Sequence, residues 1–202
     1  MNCDCVPEQL STERERRVLR IALALNATMF IIELVGGVRG QSAGLIADSL
    51  DMFSDASAYA IALAAVGRTV RFKVRAARLS GSLLFVLGVG AVLEALRRGL
   101  YGSEPASLLI LALAALALLV NAIVLRLISS FQQGEVHLKA TWIFTRADVI
   151  ANISVMGAAI LVAVTGSRIP DVVIGAAIGL YIVKEAIEIL RTTNERQPGA
   201  VS

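Results

Sequence analysis

Charge is scarce in this chain. Only 17 % of its 202 residues are Asp, Glu, Lys or Arg, against a usual share of about 25 %. Apolar residues make up 56 %, and mean hydropathy is +0.74. A 21.3 kDa globule cannot hide that much apolar surface, so a water-soluble fold is excluded and lipid must be the solvent. Cysteine is nearly absent. Cys3 and Cys5 stand alone in a polar head, which excludes a disulfide framework. His137 is the single histidine, so no nucleophile–base pair is visible and an enzyme is not expected. Aromatic residues, at 5 %, are too few for a cation–π cage around an organic cation.

Long apolar runs are what the chain has in their place. A helix needs about 20 residues to cross ~30 Å of hydrocarbon. Six stretches qualify: Val18–Val38, Ala43–Val66, Leu79–Ala95, Ser107–Leu127, Ala140–Val164 and Pro170–Leu190. The first contains Asn26 and Glu33, a poor signal-peptide core, and reads as a retained span. The connections are short. Gly36 to Gln41, Tyr101 to Pro105 and Gly166 to Arg168 have turn composition, and Pro170 suits the first turn of a helix. Gly88-Val89-Gly90 lies inside an apolar helix with no strand before it, so it is no nucleotide-binding loop. The expected fold is an all-α integral membrane protein. A polar head (1–17) leads into a six-helix transmembrane domain (18–192) and a short tail (193–202).

Basic residues set the orientation. With the N-terminus inside, the cytoplasmic face collects Arg14, Arg16, Arg17 and Arg20, then Arg68, Arg71, Lys73, Arg75 and Arg78, and then Arg126, Lys139, Arg191 and Arg196. The outer face collects Arg39, Arg97, Arg98 and Arg168. Thirteen against four predicts both termini in the cytoplasm. Basic residues beside apolar runs greet anionic lipid, so the net charge of +3 implies no nucleic-acid partner.

Acidic residues inside the spans point to function. A carboxylate at mid-membrane costs roughly 2.5–3.5 kcal/mol on insertion scales. The second span nevertheless carries Asp48, Asp51 and Asp55. At about 100° per residue they fall within an arc of roughly 60°, so they look into one place. Asp48, nearest the outer end, either joins that place or caps and hydrates the helix end. The fifth span carries Asp148 and Asn152, again four apart. The segments echo one another: Asp51 with Asp148, Asp55 with Asn152, Ser57 with Ser154. Weak internal repeats of this kind occur in transporters, with sites between the repeats. Two helices that each offer an oxygen pair can surround one divalent cation. Three aspartates against a dication leave a formal charge of −1, which a proton can neutralise, so metal and proton compete for the site.

Ala47-Asp48-Ser49-Leu50-Asp51-Met52-Phe53-Ser54-Asp55-Ala56 resembles the second-span signature of the cation diffusion facilitators, a His or Asp followed four residues later by Asp. Glu33-Leu34-Val35-Gly36-Gly37 is similar to that family's first-span ending, Asp148 to Asn152 to its fifth span, and Pro170-Asp171 to the start of its sixth. The resemblance implies a homodimeric exporter in a bacterial inner membrane that exchanges cytosolic divalent metal for protons. It maps metal ligands to Asp51, Asp55 and Asp148. Phe144 stands where the fifth span usually has a His or Asp, so a fourth ligand is missing unless Asn152 supplies it. Only residues 191–202 follow the last span, which implies a short branch without the family's cytosolic domain. An all-oxygen donor set fits manganese or iron(II), whereas the resemblance implies zinc first, with cobalt and cadmium as further substrates. No cofactor is expected beyond the transported cation.

Other residues keep two readings each. Asn26 and Glu33 share a face of the first span, for packing or for a proton path. His137 is a solvated loop residue or a ligand on the cytoplasmic access route, and Cys3 and Cys5 are spectators or a capture site for thiophilic metal. Arg146 either pairs with an acid or snorkels to the interface, where Trp142 anchors. Lys184, Glu185 and Glu188 read as a solvated or ion-paired end of the sixth span. Gly36 with Gly40 and Gly175 with Gly179 match the small-xxx-small pattern, for packing or dimerisation. A non-transporting metal sensor or transporter partner, and an organic-cation exporter, are the competing functions.

Overall fold

The computed structural model describes residues 8–65, 70–129 and 136–195, with only the backbone at several helix ends, including all of 136–147. These residues form six helices: α1 (Glu8–Arg39), α2 (Ala43–Ala65), α3 (Val70–Tyr101), α4 (Ser107–Ser129), α5 (Val136–Thr165) and α6 (Ile169–Glu195). Every predicted span is a helix, so the all-α membrane fold is observed. The helices outrun the apolar runs. α1 starts ten residues before Val18, and α3 starts nine before Leu79, because arginine and lysine are good helix formers and need only leave the lipid, not the helix. Most of the basic second connection is therefore the first turns of α3.

Among the described residues, four helices are long and apolar enough to cross a membrane by composition: α1, α3, α4 and α5. The other two fall short through their charges. Asp48, Asp51 and Asp55 fall within every 18-residue stretch of α2, and α6 carries Asp171, Lys184, Glu185 and Glu188. α2 nevertheless touches all five other helices. The helix that carries three aspartates is thus enclosed by the others.

Polarity is inverted relative to a soluble protein. Leu108 and Val164 are each 79 % exposed, whereas Asn26, Glu33, Asp48, Asn121 and Asn152 are fully buried. One core cluster joins Leu50 of α2 to Leu84 of α3, Ile110 of α4, Val155 of α5 and Ile182 of α6. A second packs Met29 and Ala22 of α1 against Met52 and Tyr59 of α2 and Val124 of α4. Lipid tails are as apolar as leucine, so close contact and buried polar pairs hold this bundle together.

The turn after α1 corrects the sequence reading. Gly36 and Gly37 are not loop residues; the helix runs through them to Arg39. It closes with Ser42 N–H donating to Gly37 O at 2.9 Å and Gln41 N–H to Val38 O at 3.4 Å, Gln41 taking φ 49°. This is the paired-bond termination in which one residue turns left-handed. At Gly36 α4 comes close: a Cβ would meet Leu113 Cδ1, the far end of a side chain, at 2.1 Å. Gly40 also faces α4, and Gly175 and Gly179 face α2 and α3, so both small-residue pairs pack within the chain.

Candidate metal centre

The N-terminus of α2 fixes the site's height. Ser42 caps the helix, its Oγ accepting from Leu45 N–H at 3.0 Å. Asp171, at the start of α6, accepts from Ser42 Oγ–H at 2.5 Å, Ala43 N–H at 2.6 Å and Gly44 N–H at 3.2 Å. One carboxylate from another helix thus satisfies donors that the first turn of α2 would leave orphaned in lipid. α6 also lies tight on α2 here. A Cβ on Gly175 would stand 2.5 Å from the carbonyl carbon of Ala43. The capping role considered for Asp48 is therefore taken by Ser42 and Asp171.

Asp48 sits one turn further in, fully buried. Asn152 Nδ2 donates to Asp48 Oδ1 at 3.0 Å and Oδ2 at 3.2 Å. Glu33 of α1 reaches the same carboxyl group, and both Glu33 oxygens are buried without a hydrogen-bond donor. Asn26 turns its amide back to Ala22 O at 3.0 Å instead. Asn121 of α4 is a further buried polar side chain, with neither amide atom partnered.

One turn below, Asp51 and Asp55 both approach the carboxyl group of Asp148. Asp51 and Asp148 are each 6 % exposed, and Asp148 Oδ2 is buried with no donor. Tyr59 Oη–H donates to Asp55 Oδ2 at 3.3 Å. Among the described residues, no Lys or Arg forms an ion pair with Asp51, Asp55 or Asp148. The described Glu94 carboxylate is instead bound by Arg97 and Arg98, each at 2.7 Å. Nor do three or more described His, Cys, Asp or Glu side chains form a ready-made metal cage.

The sequence echo thus brings together one pair and not the other. Asp51 meets Asp148, but Asp55 does not meet Asn152. Because α2 and α5 run antiparallel, a turn forward on α5 is a turn back on α2. Asn152 therefore lands on Asp48, and Asp55 stays with Asp148. Glu185 is a second correction. Lys184 and Glu188 are exposed as expected of a solvated end, but Glu185 is half-buried, lies near Tyr181 one turn away, and is within electrostatic range of Asp51 and Asp55. Spacing gave it no signal, because its partners lie on other helices. Cys3 and Cys5 lie outside the described residues, as do the side chains of His137, Trp142, Phe144 and Arg146.

Carboxylates gathered from two helices inside a lipid-facing bundle agree with what the chain is similar to. Residues 19–195 match the model of the cation efflux transmembrane domain. The chain belongs to the cation efflux family. It is 33 % identical over 189 residues to the metal cation efflux system protein CzcD of Cupriavidus metallidurans, covering 88 % of this chain and 60 % of that protein. It is 24 % identical to a cadmium, cobalt and zinc/H(+)-K(+) antiporter of Bacillus velezensis, covering 92 % of this chain and 65 % of that one. The zinc transporter ZitB of Escherichia coli is also 24 % identical, with 95 % and 66 % covered. The chain thus spans about 60–66 % of the length of these relatives. It is a multi-pass membrane protein of a transporter family.

Proposed function

We propose that this protein is a secondary transporter that exports a divalent transition-metal cation from the cytoplasm in exchange for protons. Asp51, Asp55 and Asp148 hold the cation, and the Asp48–Asn152 pair forms the layer behind them. One observation carries this reading: three carboxylates from two helices converge inside a bilayer-spanning bundle without a described basic partner. An uncompensated cluster of that kind costs several kcal/mol and marks an ion pathway. The names of the relatives support metal as the cargo. Zinc leads by those names, while the all-oxygen donors extend the range toward manganese, iron(II) and cobalt.

Exchange follows from the same electrostatics. A carboxylate cluster in low dielectric is occupied either by a dication or by protons, so loading one releases the other. Both termini face the cytoplasm in this reading, and the protein acts as a homodimer in a bacterial cell membrane.

The test is metal uptake into proteoliposomes under a pH gradient, screening zinc, cadmium, cobalt, manganese and iron(II), with Asp51→Ala alongside. Gradient-driven uptake that disappears in the variant is the expected result. Metal binding without flux would replace transport with a sensor or partner role. Flux of a lipophilic organic cation, with none of any metal, would overturn the choice of cargo.

A further inference from the structure

We propose that Glu185 of α6 is a fourth oxygen ligand of the transported cation, beside Asp51, Asp55 and Asp148. The proposal rests on Asp51, Asp55 and Asp148 being the cation site.

Register places Glu185 at that site. Gly175 abuts Ala43, and α6 runs parallel to α2 from there. Ten residues on, each helix has risen about 15 Å. That brings Glu185 level with Phe53, midway between Asp51 and Asp55. α5 runs the other way from the Asn152–Asp48 pair. Four residues back on α5 and four forward on α2 bring Asp148 level with Met52. Asp148 and Glu185 therefore meet α2 at nearly one height, from two neighbouring helices that also touch each other.

Orientation agrees with register. Ile178 and Ile182 belong to the buried core, and Glu185 lies on their side of α6 at spacings of seven and three. Lys184 is exposed. Tyr181, one turn toward the outer end, lies within electrostatic range of Asp51 and Asp148 and reaches Glu185, so the two α6 side chains line the same space.

A separate observation shows that the space calls for a cation. Asp148 is 6 % exposed, its Oδ2 has no donor, and it is aimed at Asp51 and Asp55. A buried acceptor with no hydrogen-bond donor and no described basic partner is satisfied by a proton or by a metal ion, the two occupants that the exchange requires. The completed set is all carboxylate. It favours a hard or borderline dication such as Mn2+ over a soft one such as Cd2+, and Glu185 becomes a determinant of which metal is carried.

The test uses the full chain in detergent micelles, titrated with Mn2+ and with Cd2+ by calorimetry, and flux in proteoliposomes. Glu185→Gln should weaken Mn2+ binding by about tenfold or more, the least that loss of a direct ligand costs. Cd2+ should weaken less, so the Mn2+/Cd2+ preference falls. Wild-type Mn2+ affinity in Glu185→Gln, with binding lost in Asp51→Ala, overturns the proposal and leaves the transport site standing. Wild-type affinity in both variants overturns both. If Glu185→Gln does not fold, Glu185→Asp takes its place. A ligand withdrawn by one methylene should shift the Mn2+/Cd2+ preference, and an unchanged preference overturns the proposal.

Discussion

The amide nitrogen of Asn152 donates to both oxygens of one carboxylate, that of Asp48, at 3.0 and 3.2 Å across 104 residues of chain. That bond sets the height of α5 against α2 and thereby which aspartates face each other. It also leaves Asn152 Oδ1 buried and free of donors. Asn152 thus acts first on Asp48, and only its carbonyl oxygen remains for any other partner.

Removing that amide should therefore cost stability more than cation affinity. Asn152→Ala leaves a buried carboxylate without its donor, worth about 1–3 kcal/mol. Denaturant unfolding in micelles measures the loss. Metal titration should show a smaller drop than in Asp148→Ala. An equal drop would make Asn152 a ligand in its own right.

Asp171 should be a structural clamp. Asp171→Ala removes the acceptor for Ser42, Ala43 and Gly44 and leaves their donors unpaired in lipid. The expected loss is about 2 kcal/mol or more of unfolding free energy. Asp171→Asn keeps one acceptor oxygen and should recover part of it. Hydrogen exchange at the first turn of α2 reads the same effect locally.

Two glycines make a matched comparison. Gly175→Ala drives a methyl against the Ala43 backbone, with carbonyl carbon and oxygen at 2.5 and 2.7 Å. Backbone cannot yield as a side chain does, so about 1–3 kcal/mol of destabilisation is expected. Gly90→Ala meets nothing within 4 Å and should stabilise α3 by up to about 1 kcal/mol. Thermal melts of the two variants should move in opposite directions.

The pH dependence has a fixed sign if proton and metal share Asp51, Asp55 and Asp148. Only ionised carboxylates bind the cation, so affinity falls as pH falls. Each displaced proton weakens apparent binding by about tenfold per pH unit. Metal titrations one pH unit apart give the slope, and a flat profile would sever metal from proton at this site.

Much of this was legible in the sequence. The number of helices, their membrane setting and the inward turn of Asp48, Asp51, Asp55 and Asp148 follow from hydropathy and a 100° step, which are properties of one helix at a time. Those same properties misplaced Gly36 and Gly37, because a glycine required by close packing and a glycine required by a turn are written with the same letter. They also misassigned Glu185, which by hydropathy is the polar end of a span.

What hydropathy and helical period could not carry is the alignment of one helix against another. The sequence by itself determined which side chains each helix presents, since backbone geometry fixes that locally. Tertiary structure decided the partners: α5 antiparallel to α2 gives Asn152 to Asp48, and α6 parallel to α2, locked by Asp171 and Gly175, lifts Glu185 to the level of Asp148. Those heights depend on close contacts between residues more than a hundred positions apart, which no local pattern encodes.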